Sequence, residues 1–260
     1  MSILKNGVIP TWWSRSPSPG NFGDILTPVL IDKLFGYTCQ WTLNSVNQPT
    51  LIAIGSILSK AGNNTVVWGS GAMRATDPIK RDAVYLSVRG PHTRDLILQR
   101  GIQCPAIFGD PALIMPEVYK PDMSKKYTYG FFSHYVDYAA VAGWYKDDTE
   151  VLVINPVNYD PLLVIEQMAK CEMIISSSLH GIIIAHAYGV PAVWVKHSDK
   201  LGGDGIKFAD HYASVGLTLE HFDFYGKIPV ADLGKINYQV PESINTKPII
   251  KALDTYLHES

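Results

Sequence analysis

The 260-residue chain has only three cysteines, Cys39, Cys104 and Cys171, odd in number, far apart and without a CxxC pair. That spacing argues against a disulfide scaffold or a cysteine-rich zinc site, and it suits a reducing compartment. Charge is also scarce. Asp, Glu, Lys and Arg make up 18% of the residues, and the net charge of −2 lacks the basic excess of a nucleic-acid binder. No GxGxxG, GxxxxGK[ST] or HExxH occurs, so the dinucleotide fingerprint, the phosphate-binding P-loop and the zinc-protease helix all fail. No apolar stretch precedes a small-residue cleavage site near the start, so no secretory signal is expected. One long run without charge does occur, at residues 173–195. Ser176, Ser177, Ser178, His180, His186 and Pro191 interrupt it, so it reads as a strand, a polar loop, a short helix and a second strand rather than a membrane span.

What is present is apolar material for a sizeable core, 47% of the residues, in a length that suits one large domain or two small ones. Short apolar runs alternate with helical patterns. Strands are expected at 50–54, 65–68, 84–88, 106–108, 127–132, 150–154, 173–176 and 192–195. Helices are expected at 25–34, 91–100, 161–170, 179–188 and 247–257. This alternation predicts an α/β fold with parallel sheets covered on both faces. Residues 115–126 hold two prolines, three lysines and no apolar period, which marks a linker. The expected division is residues 1–118 and 119–260. These would be two Rossmann-like domains facing a cleft, with the last helix able to cross back. A ligand would then sit near the carboxyl ends of the strands.

The strongest motif is the Ser176-Ser177-Ser178-Leu179-His180-Gly181 junction, where a strand runs into a helix. The first N–H groups of that helix have no intrahelical partner, and with the helix dipole they suit an anion. Ser178 and Leu179 would present them, and His180 in the first turn could donate to a phosphate or carboxylate. The plainer alternative is that the serines only cap the helix. His186 lies about 240° further round the same helix and is assigned no role. In Asn21-Phe22-Gly23-Asp24 the glycine permits a tight turn, and Asn21 and Asp24 suit either a cap or a cleft. Arg89 follows an apolar strand directly, where a guanidinium can grip an anion bidentately. Asp110, in Gly109-Asp110-Pro111, suits a cap or a ligand contact equally. His134 stands just beyond the 127–132 strand, and the segment from Gly202 to Tyr212 reads as a glycine-rich loop, with Lys207 at the end of its glycines. No carboxylate–histidine cluster suggests a metal.

Taken in order, Asn21-Phe22-Gly23-Asp24, Gly69-Ser70-Gly71, Ser87-Val88-Arg89 with Gly109-Asp110-Pro111, Ser133-His134-Tyr135, Ser177-Ser178-Leu179-His180-Gly181 and Lys207-Phe208-Ala209-Asp210-His211-Tyr212 resemble the polysaccharide pyruvyl transferase family. The resemblance runs from about residue 20 to 216 and is most specific at Ser-Leu-His-Gly. It implies a compact version of the two-domain GT-B fold, phosphoenolpyruvate as donor and no cofactor. The implied product is a pyruvate ketal on a glycan sugar, made with release of phosphate during exopolysaccharide or capsule biosynthesis. Carried over by position, the family histidine falls on His180, the strand-end arginine on Arg89 and a donor-site histidine on His134. Many members carry an arginine just before the Leu-His pair, where this chain has Ser178. Lys207 and Arg89 are the nearest replacements, with backbone N–H groups as the alternative.

The reaction so implied suits His180 as a general acid or phosphate-activating group, and Asp24, if it lines the cleft, as a candidate base for the acceptor hydroxyl; residues 1–118 would be the acceptor side and 119–260 the donor side. Arg89, His134, Ser178, Leu179, Lys207 and Asn21 would bind substrate. The protein would work in the cytoplasm on a glycan acceptor, either lipid-linked at the inner membrane face or free, with no nucleic-acid partner. Two other readings stay open: a nucleotide-sugar glycosyltransferase of the same fold, and a non-catalytic sugar-binding relative.

Overall fold

A computed structural model describes residues 3–18, 20–43 and 49–259. The first half carries β1 (Val8–Thr11), α1 (Leu26–Phe35), β2 (Thr38–Trp41), β3 (Thr50–Ile52), β4 (Thr65–Trp68), β5 (Val84–Ser87) and α2 (Pro91–Leu98). A 3-10 turn (Pro111–Ile114) and α3 (Met115–Val118) close it. The second half carries β6 (Tyr127–Phe132), α4 (Tyr138–Tyr145), β7 (Val151–Val153), α5 (Pro161–Ala169), β8 (Cys171–Ser176), α6 (Leu179–Ala187), β9 (Ala192–Lys196), α7 (Ile206–Ser214), β10 (His221–Asp223), α8 (Val230–Leu233) and α9 (Lys247–Glu259).

The two sheets have five strands each, in the orders β2-β1-β3-β4-β5 and β10-β9-β8-β6-β7. All the pairings between these strands are parallel. This is the expected α/β class, and its cause is local. Thr65–Trp68 is buried at every position, as a central parallel strand covered on both faces must be. Helix α6 is buried from Leu179 through His186, so it behaves as an interior helix with no solvent face. It packs on β8 and β9 of its own sheet and on the 3-10 turn of the first half. One hydrophobic cluster therefore runs through both halves, from Leu51, Val66 and Trp68 to Ile174, Ile182 and Ala192.

The last helix does cross back. Ile249, Leu253 and Leu257 recur at four-residue spacing and are buried, and α9 lies against β4 and β5. There the Trp68 indole N–H donates to the Ile249 carbonyl at 2.8 Å.

Several expected elements need correcting. Residues 106–108 form only an isolated bridge, Val88 to Phe108, because Pro105 and Gly109 confine the run to three residues. The expected linker opens with the helical turn α3, and only its remainder, from Tyr119, lacks regular structure. Three strands were not expected. Pro10 disguises β1, while β2 and β10 are short edge strands with largely exposed residues. Helix α7 was read as a loop because glycines precede it. Gly205, at φ +88°, is its N-cap, so Lys207 stands in the helix's first turn. The uncharged run at 173–195 resolves into β8, α6 and β9. Among the described residues no helix is long and apolar enough to cross a membrane.

Candidate active site

The carboxyl ends of the strands in both sheets meet around a cavity of about 170 Å³. From the first half come Ser14 after β1, Asn21 and Asp24 from the turn before α1, Ser56 and Ile57 after β3, and Met73 after β4. From the second half come His134 after β6, Ser178, Leu179 and His180 at the start of α6, and Lys207 on α7. Seven of the eight residues singled out from the sequence thus share one cavity. The turn at Asn21 is tied across the halves, since the Phe22 N–H donates to the Pro156 carbonyl at 2.9 Å.

Arg89 is the exception. It has no exposure and sits behind the cavity, not on its wall. Its guanidinium donates to the Ser56 hydroxyl and to the Ala72 carbonyl, each at 2.6 Å, and pairs with Asp210 at 3.3 Å. A side chain at Gly71 would overlap the guanidinium, which explains the second glycine of Gly-Ser-Gly. The sequence reading of Arg89 as a direct anion contact is therefore corrected: in this geometry it holds Ser56, which does line the cavity. Asp210 also accepts from the Thr93 backbone and hydroxyl, at 3.0 and 2.6 Å.

The serines divide the work at the α6 start. Ser176 donates to the Phe132 carbonyl at 2.7 Å and also accepts from the Ser178 N–H. Ser177 accepts from the His134 N–H at 2.9 Å, fixing the loop that carries that histidine. Ser178 occupies the N-cap without a side-chain cap bond, so its hydroxyl and the first N–H groups of α6 remain at the cavity.

Burial sets the proton affinities. It pushes Asp24 up to about 7; a hydrogen bond from Asn21 opposes this and the nearby Asp110 adds to it. It pushes Asp110 up to about 6, against the Ala112 N–H, Arg89 and the Gly55 N–H. Burial, helped by Arg89 and Lys207, takes His180 down to about 3, and burial with Lys207 takes His134 to about 4. Lys207 falls to about 8 through burial and the neighbouring Arg89 and Arg74. Its ammonium lies over the Phe208 ring, with no hydrogen bond or ion pair among the described residues. The wall thus combines an unpaired cation, a helix N-terminus, two neutral imidazoles and a carboxyl group that titrates near neutrality.

Of the two readings of Asp110, the structure shows the cap. One oxygen caps the 3-10 turn through Ala112 N–H at 3.0 Å, and the other accepts from Gly55 N–H at 3.2 Å. That second oxygen lies 4.0 Å from His180 Nε2, which is buried and otherwise unpartnered. His186 instead meets His211 at 3.0 Å, away from the cavity. Among the described residues no group of three or more His, Cys, Asp and Glu is placed to hold a metal ion.

The polysaccharide pyruvyl transferase family model matches residues 32–199, more than half of the chain. The uncharacterized protein L143 of Acanthamoeba polyphaga mimivirus is 32% identical over 221 residues, covering 79% of this chain and 74% of that protein. The succinoglycan biosynthesis protein ExoV of Rhizobium meliloti (strain 1021) is 27% identical over 220 residues; the match covers 80% of this chain and 65% of ExoV. Among solved structures, Methanocaldococcus jannaschii UDP-GlcNAc 2-epimerase in complex with UDP-GlcNAc and UDP aligns at a TM-score of 0.39 and 12% identity. That alignment covers 75% of this chain and 63% of the epimerase.

Proposed function

Because the chain belongs to the polysaccharide pyruvyl transferase family, we propose that it moves the enolpyruvyl group of phosphoenolpyruvate onto two hydroxyls of one sugar in a polysaccharide. The product is a cyclic pyruvate ketal, with release of phosphate. The observation that carries this reading is the pairing, in one buried cavity, of a cation without a partner, Lys207, with proton-carrying groups, Asp24 and His180.

The donor carries a phosphate and a carboxylate. Lys207, the Ser178 hydroxyl and the first N–H groups of α6 supply charge and donors for both. His134, neutral here, donates or accepts without adding repulsion. The reaction needs a proton on the methylene carbon, which leaves an oxocarbenium-like centre at C2. A sugar hydroxyl adds there and loses its proton. The C–O bond to phosphate then breaks with its electron pair, and the second hydroxyl closes the ring, losing its proton in turn. Of the two hydroxyl protons, one is finally accounted for on the methyl group and the other on the released phosphate.

His180 fits the general-acid role through donor binding. Burial keeps it neutral, and a phosphate and carboxylate brought against it raise its proton affinity. Asp110, next to Nε2, stabilises the imidazolium so formed. Asp24, near 7, is partly ionised at neutral pH and takes the hydroxyl proton. Calorimetric titration with phosphoenolpyruvate and, separately, UDP-sugars tests the reading on wild type and His180→Ala. The expected result is binding of phosphoenolpyruvate alone, weakened by the substitution, and phosphate release with a suitable glycan. Binding of a UDP-sugar in place of phosphoenolpyruvate would refute it.

A further inference from the structure

We propose that the acceptor saccharide binds in a second, larger cavity that adjoins the candidate active site at Lys207. The inference deepens the reading above and rests on it for the identity of the donor. The first cavity, at about 170 Å³, is smaller than ordinary ligand sites of roughly 300–1,000 Å³. It suits a three-carbon phosphate ester and leaves no space for a hexose beside it. The second cavity is about 730 Å³, within the ordinary range and large enough for a short oligosaccharide. Lys207 lines both, so a sugar in the larger cavity and a donor held by Lys207 would meet at that side chain.

The segment 73–75 borders both cavities. Met73 lines the inner one and Ala75 the outer one, and the loop joining them is held to the second half where Ala75 N–H donates to Asp204 at 2.8 Å.

The lining has the mixed character that a sugar needs, with apolar surface for C–H faces and polar groups for hydroxyls. Trp194 and Phe208 stack at 3.9 Å, and His221 lies 4.6 Å from the Trp194 ring on the same wall. Leu219 continues the apolar surface at the mouth, where it is 38% exposed. Lys196 and Ser198 supply polar groups. This location puts the acceptor mainly on the second half of the chain, whereas the sequence pointed to the first.

The test plugs the outer cavity without touching Lys207. Leu219→Trp and, from the other side, Ser198→Trp are compared with wild type, each after a thermal melt shows a cooperative transition. Phosphoenolpyruvate binding is read by calorimetry. Saccharide binding is read as retention on an array of microbial polysaccharide fragments with phosphoenolpyruvate present. The expected result is a Kd for phosphoenolpyruvate within roughly twofold of wild type, with retention falling by roughly tenfold or more in both variants. That split marks loss of acceptor binding alone. Equal retention by wild type and both plugged variants overturns the proposal, as does a wild type that retains no fragment. Retention lost on plugging in a protein that never binds phosphoenolpyruvate would keep the saccharide site and remove the donor reading.

Discussion

The imidazole of His180 rests against the α-carbon of Gly23, so closely that any side chain at residue 23 would overlap Nδ1 and its neighbouring ring carbons. The two residues belong to opposite halves. Gly23 is not among the glycines with positive φ, so its missing side chain serves the histidine across the cleft and not its own backbone. Gly23→Ala should therefore cost activity through His180, lowering kcat by roughly 10²-fold or more, the scale of a lost acid–base group. Overpacking should cost only about 1–3 kcal/mol of stability. Phosphate-release kinetics and a urea titration on the same variant separate the two effects.

Lys207 should govern donor affinity without supporting the fold. Its ammonium has no hydrogen bond or ion pair among the described residues and is held in a buried place, so removing it relieves desolvation. Lys207→Ala should keep or raise the melting temperature while weakening phosphoenolpyruvate binding by roughly 10- to 100-fold, the worth of a charge-assisted hydrogen bond. Calorimetry and a thermal melt check both halves of this expectation.

Donor binding at pH 7 should take up protons. His180 is neutral because it is buried beside Arg89 and Lys207, and the anion reverses that bias. Titrations in buffers of different ionisation enthalpy should show net proton uptake in wild type and a reduced uptake in His180→Ala. Identical uptake in the two proteins would remove His180 from the proton path.

Asp24 should leave its mark on stability as well as on rate. Its folded value of about 7 lies above the ordinary carboxyl value of 3.8, so between those values the folded state binds the extra proton. Its contribution is therefore fully present below about pH 4 and is lost as pH rises to about 7. Asp24→Asn removes this loss. The variant should gain melting temperature relative to wild type from pH 4 to 7, and the difference should level off above that. The same substitution should abolish the inflection near pH 7 in kcat/KM, which reports groups of the free enzyme.

The Arg89–Asp210 pair joins the halves without solvent on either partner. Asp210→Ala leaves a buried guanidinium without its anion, and should cost about 3–5 kcal/mol. Asp210→Asn retains acceptor capacity toward Thr93 and should cost less. Urea midpoints at unchanged slope would record the difference as stability alone.

Much of this protein was legible in its sequence, because periodicity and turn chemistry act locally. The alternation of apolar runs and helical patterns specified two parallel layers, and 65–68 and 127–132 were read with the bounds they have. The strand–Ser–Leu–His–helix junction specified a helix starting at a strand end with its first N–H groups unpaired within the helix, since these follow from chain direction alone. Local signals failed where tertiary packing overrides them. Pro10 does not stop β1 from lying between β2 and β3, because both neighbours hold it in the sheet. Glycines before Ile206 concealed a helix that packing against α2 and α6 stabilises.

What only the tertiary structure decided is which strand-end residues face the cavity and which lie beneath it. Arg89 and His180 both follow apolar strands. One is drawn behind the wall by Asp210 and Ser56, while the other is held at it between Gly23 and Asp110. Those partners lie 33 to 157 residues away in the chain, and no local pattern encodes a distance of that kind. Burial, which moves Asp24 to about 7 and His180 to about 3, exists only once both sheets have closed on the same cavity.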